Sequence, residues 1–167
     1  MDDNIIKNAW LLPISENGVY NLHFLDNLYL QRIYSGKYVS EKLRFKLEDR
    51  FIESLNDPGA ILPTETEDNY QNFMKNLNEL ISGAINAPPS NNYDMHIDYN
   101  NIKSVEFYSG DDQNLGYINI ICDNSYKFLL MHENINRHAG LDGESAKNII
   151  NILESKIKNG IKIINKQ

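Results

Sequence analysis

The chain holds one cysteine, four arginines and no apolar run long enough to cross a bilayer. Each shortage excludes something. A lone thiol, Cys122, cannot close an intramolecular disulfide, which fits a reducing compartment. It ends the apolar run 117–122 and reads as a buried, inert side chain. A spanning helix needs about 20 apolar residues in succession, and no stretch approaches that. The first residues, Met1-Asp2-Asp3-Asn4, are acidic, whereas a secretory leader needs a basic start and a longer apolar core. A cytoplasmic location is the expectation. Basic charge is short too. Lys and Arg number 16 against 23 Asp and Glu, for a formal net charge of −7. That balance speaks against nucleic acid, whose phosphates are neutralised by Lys and Arg, and against anionic membranes. A basic protein partner stays open, because opposite fields speed encounter.

Chemical motifs are missing as well. The sequence has no G-x-S-x-G elbow, phosphate-binding loop or dinucleotide fingerprint. His132 and His138 are spaced too widely for the His-Glu-x-x-His metalloprotease phrase and read as loop residues. Asp94, His96 and Asp98 alternate along one stretch and resemble a ligand set. On a straight strand, however, they would stand about 6–7 Å apart, too far to share one ion. No metal, no cofactor and no catalytic residue is expected. A small hydrolase would need His96, His132 or His138 to converge with carboxylates in a pocket.

What is present is material for one globular domain: 167 residues, 41% of them apolar and 10% aromatic. Asn, Ile, Lys and Tyr are abundant and Lys outnumbers Arg by 12 to 4, which points to AT-rich coding. The pattern predicts an α+β fold. A helical N-terminal half packs on a C-terminal antiparallel β-meander, and a C-terminal helix follows. Residues 3–12 read as a helix with Ile5, Ile6, Ala9 and Trp10 on one side, stopped by Pro13. Residues 19–24 alternate like a strand, and 27–35 carry helical spacing. Residues 41–56 repeat Leu43, Leu47, Phe51 and Leu55 at helical intervals behind Ser40 as N-cap. Thr64 to Glu67 forms a capping box for a helix over 65–82, with Tyr70, Phe73, Met74, Leu77 and Ile81 on one face and Gly83 as its stop. A Pro-rich stretch at 86–92 links the two halves within the domain. Four strands then follow at 93–99, 102–108, 115–122 and 126–132. In the first of them Tyr93, Met95, Ile97 and Tyr99 are to face inward, and Asp94, His96 and Asp98 outward. A helix over 143–159 opens at Asp142 and stops at Gly160. The tail after it reads as an edge strand or a loose end.

Charge clusters in the second half. From Ser104 to Glu144 there are seven acidic and two basic residues, which is five of the seven net negative charges. Glu106, Asp111, Asp112, Asp142 and Glu144 belong to this window. With Tyr108 and Tyr117 as aromatic anchors they are the candidate partner-binding residues. Reversing Asp111 and Asp112 to Lys is expected to weaken docking and spare the fold.

Two resemblances add to this reading. Residues 97–108, Ile-Asp-Tyr-Asn-Asn-Ile-Lys-Ser-Val-Glu-Phe-Tyr, resemble the strand–corner–strand phrase of bacterial pleckstrin-homology-like and GRAM-type domains. That resemblance implies a binding module built as a barrel from both halves, with a C-terminal helix. The chain departs from it where 38–83 read as helices and where a basic phosphoinositide patch is lacking. The whole-chain character is similar to that of bacterial immunity proteins of contact-dependent and other polymorphic toxin systems. That resemblance implies a non-catalytic inhibitor. It would bind one cognate, cationic nuclease-type toxin domain, with its acidic side chains in the place of nucleic-acid phosphates.

Overall fold

In a computed structural model the chain is described over residues 4–43, 67–89, 92–135, 137–158 and 160–164. Strands come first, so the expected helical N-terminal half is not found. The elements are β1 (Ile5–Leu11), α1 (Ile14–Asn17), β2 (Gly18–Phe24), β3 (Leu28–Tyr34), α2 (Gly36–Leu43), α3 (Glu67–Ile85), β4 (Met95–Ile97), β5 (Ser104–Tyr108), β6 (Gly116–Ile121), β7 (Ser125–Leu130), α4 (Gly143–Lys156) and β8 (Ile161–Ile164). The fold is α+β around one eight-stranded sheet, ordered β4-β3-β2-β1-β7-β6-β5-β8. It consists of two antiparallel meanders joined where β1 meets β7, with β8 added parallel to β5.

The order forces the sheet to curl. β4 and β5 stand six strand spacings apart in it, about 29 Å if the sheet were flat. The chain from Ile97 to Ser104 reaches at most about 24 Å when fully extended, and a 3-10 turn at Tyr99–Asn101 shortens it further. The concave side therefore gathers residues from strands across the sheet into one core. Leu22, Leu30, Ile97, Phe107, Ile118 and Phe128 meet there, and α4 seals it with Ile149, Ile152, Leu153 and Ile157. On the convex side α1, α2 and α3 pack chiefly over β1 and β2. Trp10, Val19, Val39, Phe73, Leu77 and Ile81 form that second core.

Helical spacing in β1 has a definite cause. Asn8 adopts φ 64° and the register to β2 shifts between Ile6 and Ala9. This bulge inserts one residue, so Ile6 and Ala9 reach the same core although they are three apart. The spacing imitates a helix face. Asn is among the few residues that occupy the left-handed region at modest cost. In β3, read as a helix over 27–35, both faces are covered. Leu28 and Leu30 enter the concave core, while Ile33 and Tyr34 pack on the convex one. Apolar residues on both faces erase a period of two. Residues 19–24 are the strand the pattern predicted, and all seven residues of β2 are buried.

The four-strand meander expected over 93–133 is corrected to three strands. β4 is short and leaves for the far edge, where Leu28, Tyr29 and Leu30 pair with Ile97, His96 and Met95. Asp94 fixes this docking, its carboxylate accepting from the Arg32 N–H. Asp98 caps the 3-10 turn by accepting from Asn100 N–H. Of the residues expected to face inward, Met95, Ile97 and Tyr99 pack on the concave core. Tyr93 instead lies against the His23 and Tyr29 rings. Helix α3 carries the predicted Phe73, Met74, Leu77 and Ile81 in its buried face, and it runs past Gly83 to Ile85. A side chain at Gly83 would collide with the Tyr34 hydroxyl, so close approach accounts for that glycine rather than helix termination. The capping box at Thr64, the Tyr70 side chain and most of the predicted 41–56 helix lie outside the described residues. Asp142 caps α4 as expected, its carboxylate accepting from Ser145 N–H at 2.7 Å.

Candidate functional site

Burial alternates along the central strand of the second meander. Along β6, Ile118 and Ile120 are fully buried while Tyr117, Asn119 and Ile121 are half-buried. Register carries the same faces across three strands: Glu106 pairs with Asn119 and Tyr108 with Tyr117 on β5 and β6, and Asn119 with Lys127 on β7. The convex face of this sheet region thus brings together Glu106, Tyr108, Tyr117, Asn119 and Lys127. Lys162 of β8 extends the row beside Glu106.

These side chains are already joined to one another. Asn119 Nδ2 donates to Glu106 Oε1 at 3.2 Å, while Asn119 Oδ1 is buried and unpaired. The Tyr108 and Tyr117 rings lie 5.6 Å apart, and Lys127 Nζ sits 4.2 Å over the Tyr117 ring, within cation–π range. Burial raises the Tyr117 hydroxyl pKa, and the charge of Glu106 adds to it. Tyr108 differs from the expected exposed anchor, being only 4% exposed. Burial and its hydrogen bond to Asp111 push its pKa up to about 12.

Asp111 organises the β5–β6 turn. Its carboxylate accepts from the N–H groups of Gln113 and Asn114, from Asn114 Nδ2 and from the Tyr108 hydroxyl, at 2.7–3.0 Å. The Asn114 amide first, then the Gln113 N–H, hold its pKa down at about 2. This is the work of a turn-forming Asp, so a Lys at this position would break the turn as well as reverse a charge. The expectation that such a reversal spares the fold is corrected for Asp111. Asp112 is exposed, and its carbonyl accepts from Ala139 N–H at 3.2 Å. The segment 139–141 runs along this turn through two further backbone bonds, Gly140 N–H to Asp111 O and Leu141 N–H to Ser109 O. Asp142 follows at once, and its lowered pKa comes first from the Ser145 N–H bond.

The predicted window is therefore divided. Glu106, Tyr108, Asp111 and Tyr117 converge on the convex face of the second meander. Asp112 and Asp142 flank its turn. Glu144 lies apart and lines a groove with Lys7, Asn21 and Asn148. Asn119, Lys127 and Lys162 were not singled out from sequence, since only strand register brings them in. They make the face one of mixed charge.

His132 and His138 lie together near Asp142, while His96 is on β4. Asn134 N–H donates to His132 Nδ1, and His132 Nε2 faces the Ala139 carbonyl at 3.2 Å. His138 packs edge-on against His132, ring centres 5.8 Å apart. His96 is exposed at the β4 edge beside Tyr29. No group of three or more His, Cys, Asp or Glu suited to a metal ion occurs among the described residues. No helix among them is long and apolar enough to cross a membrane. The chain matches no family model, no curated protein and no solved structure.

Proposed function

We propose that this protein is a non-catalytic, toxin-neutralising binding protein of the immunity type, which docks one cationic protein domain and covers its active site. The observation that carries the reading is the convergence of Glu106, Tyr117, Asn119 and the Asp111 turn on one sheet face, where Tyr117 and Asn119 are only half-buried. A rigid strand surface with an aromatic at its centre and hydrogen-bonding groups around it is what a protein interface needs. The overall charge of −7 steers a cationic partner toward it. Lys127 and Lys162 repel cationic groups placed opposite them, so they select among cationic partners for one with neutral or acidic groups at those points.

A second reading is favoured by the strand order. Two meanders joined at β1 and β7, open between the edge strands β4 and β8 and covered by a C-terminal helix, are compatible with the barrel expected of a pleckstrin-homology-like or GRAM-like binding module. Fold alone does not assign function, and a protein-docking role is compatible with such a scaffold.

The test is co-expression with toxin domains encoded beside the gene. The expected outcome is rescue of growth and a stable 1:1 complex, both lost when Tyr117→Ala is combined with Glu106→Lys. Failure of the intact protein to rescue or to form a complex with any of these domains would overturn the reading.

A further inference from the structure

β1 is seven residues long, but its ladder with β7 covers only Ala9, Trp10 and Leu11. Before the bulge, Phe24 N–H donates to Asn4 O, and Ile5 and Ile6 stand opposite His23 and Leu22. Backbone groups alternate in direction along a strand, so those of Asn4 and Ile6 turn to β2. Those of Ile5, and next in alternation those of Lys7, turn to the side that β7 has left. The sheet is split there, and a groove of about 1130 Å³ occupies the opening. Ile5 and Lys7 line it on one side. The exposed stripe of α4 with Glu144, Asn148 and Asn151 lines the other.

Its lining mixes apolar residues, among them Ile5, Ile85 and Ile152, with buried polar ones. Asn21 and His23 are 2% and 3% exposed, and both line the groove. Asn21 Oδ1 accepts from Asn8 N–H at 3.1 Å and His23 Nε2 faces Gln31 Oε1 at 2.9 Å. Two nearly buried polar side chains two residues apart thus line the groove, each held by a bond to a neighbour. Lys7 and Glu144 leave the groove without net charge.

We infer that this groove takes an extended peptide segment of a partner protein, added as a short strand on the free edge of β1. A strand edge with unpaired N–H and C=O groups is a template for another strand. Asn side chains on both walls match the donors and acceptors of a peptide backbone. The outer edge of β5 is closed to such an addition by β8. This docking site is separate from the convex face of the second meander and does not depend on the function proposed for it.

The experiment pans short random displayed peptides against the full chain, with the Asn148→Trp/Asn151→Trp variant as counter-target. Both positions are exposed on α4, and unchanged melting confirms that the variant folds. Selected peptides of balanced charge are expected to lose roughly tenfold or more in affinity for the variant. In the complex the Ile5 and Lys7 amides, fast to exchange in the free protein, become slow. N-methylating alternate peptide residues should weaken binding in one register and not in the other. The inference is overturned if no selected peptide discriminates the variant, or if both registers tolerate methylation. It is equally overturned if a glycan array yields ligands that compete with the peptides and leave the Ile5 and Lys7 amides unprotected.

Discussion

Strands β2 and β6 flank the central pair, β2 beside β1 and β6 beside β7, yet they live in different surroundings. β2 buries every residue, including Asn21 and His23. β6 buries alternate residues and leaves Tyr117, Asn119 and Ile121 half-covered. The first lies between α4 on the concave side and α1–α3 on the convex side. The second alternates buried residues on the concave side with half-buried ones on the convex side, where Tyr117 packs against the second core. Polar groups accordingly do different things in the two meanders. In the first they are enclosed and bonded to neighbours, Asn21 to Asn8 and His23 to Gln31, and stranding a buried partner costs about 1–3 kcal/mol. In the second they stand at a boundary with water and keep the capacity to bind. The rigid, closed meander holds the shape, and the half-open one presents a surface.

The strongest test of this contrast is at Asn8. Its side chain accepts from Trp10 Nε1 at 2.7 Å and donates to Met131 O at 2.9 Å, and its backbone sits at positive φ. Asn8→Ala strands two buried partners and strains the bulge. The expected loss is about 3 kcal/mol in urea unfolding. Asn8→Gly keeps the bulge conformation but not the bonds, and should lose about 1 kcal/mol less. Equal losses would show that the bulge contributes nothing of its own. A loss under about 0.5 kcal/mol for Asn8→Ala would remove the contrast between the meanders altogether.

The same contrast decides what could be read from sequence. Three strands of the second meander and the cap at Asp142 were legible, whereas the tail, readable as an edge strand or a loose end, was settled only by the pairing of β8 with β5. The first meander was misread twice, at 3–12 and 27–35, and in each case a physical device hid the strand. In β1 the Asn8 bulge converted two-residue spacing into three. In β3 apolar residues stand on both faces, with Gln31 buried beside His23. β4 was recognised as a strand but not its partner, since nothing local shows that Asp94 will bond the distant Arg32 backbone. The candidate site was half legible for a similar reason. Glu106, Tyr108 and Asp111 lie close in sequence, whereas Asn119, Lys127 and Lys162 join them only through register.

On the half-open face, changes should cost less. Tyr117→Ala removes a half-buried ring that packs on Tyr108 and under Lys127. About 1–2 kcal/mol is expected, compared directly with Asn8→Ala under the same conditions. If Tyr117→Ala proves the costlier change, that ring is a core residue and its role as a docking anchor is weakened. Asp111→Asn should cost about 1 kcal/mol. It keeps the shape but halves the acceptor capacity of the carboxylate, which serves four donors in the turn.

The smallest expected effect is also the most local. Asp111 has its pKa lowered from the ordinary 3.8 to about 2 by hydrogen bonds from Asn114 and Gln113. A carboxylate with a depressed folded-state pKa stabilises the folded state fully above its unfolded value. That contribution fades as pH falls from about 4 and is gone below about 2. Because the group is exposed, water screens much of the effect, and the signal belongs to the turn before it belongs to the whole chain. The amide resonances of Gln113 and Asn114 should titrate together with a midpoint near 2 and vary little with salt, since hydrogen bonds rather than an ion pair set the shift. In Asp111→Asn the transition should vanish. A midpoint near 4 in the intact protein would mean that the turn is open in solution. The convex face would then lose the rigid border that the proposed docking surface requires.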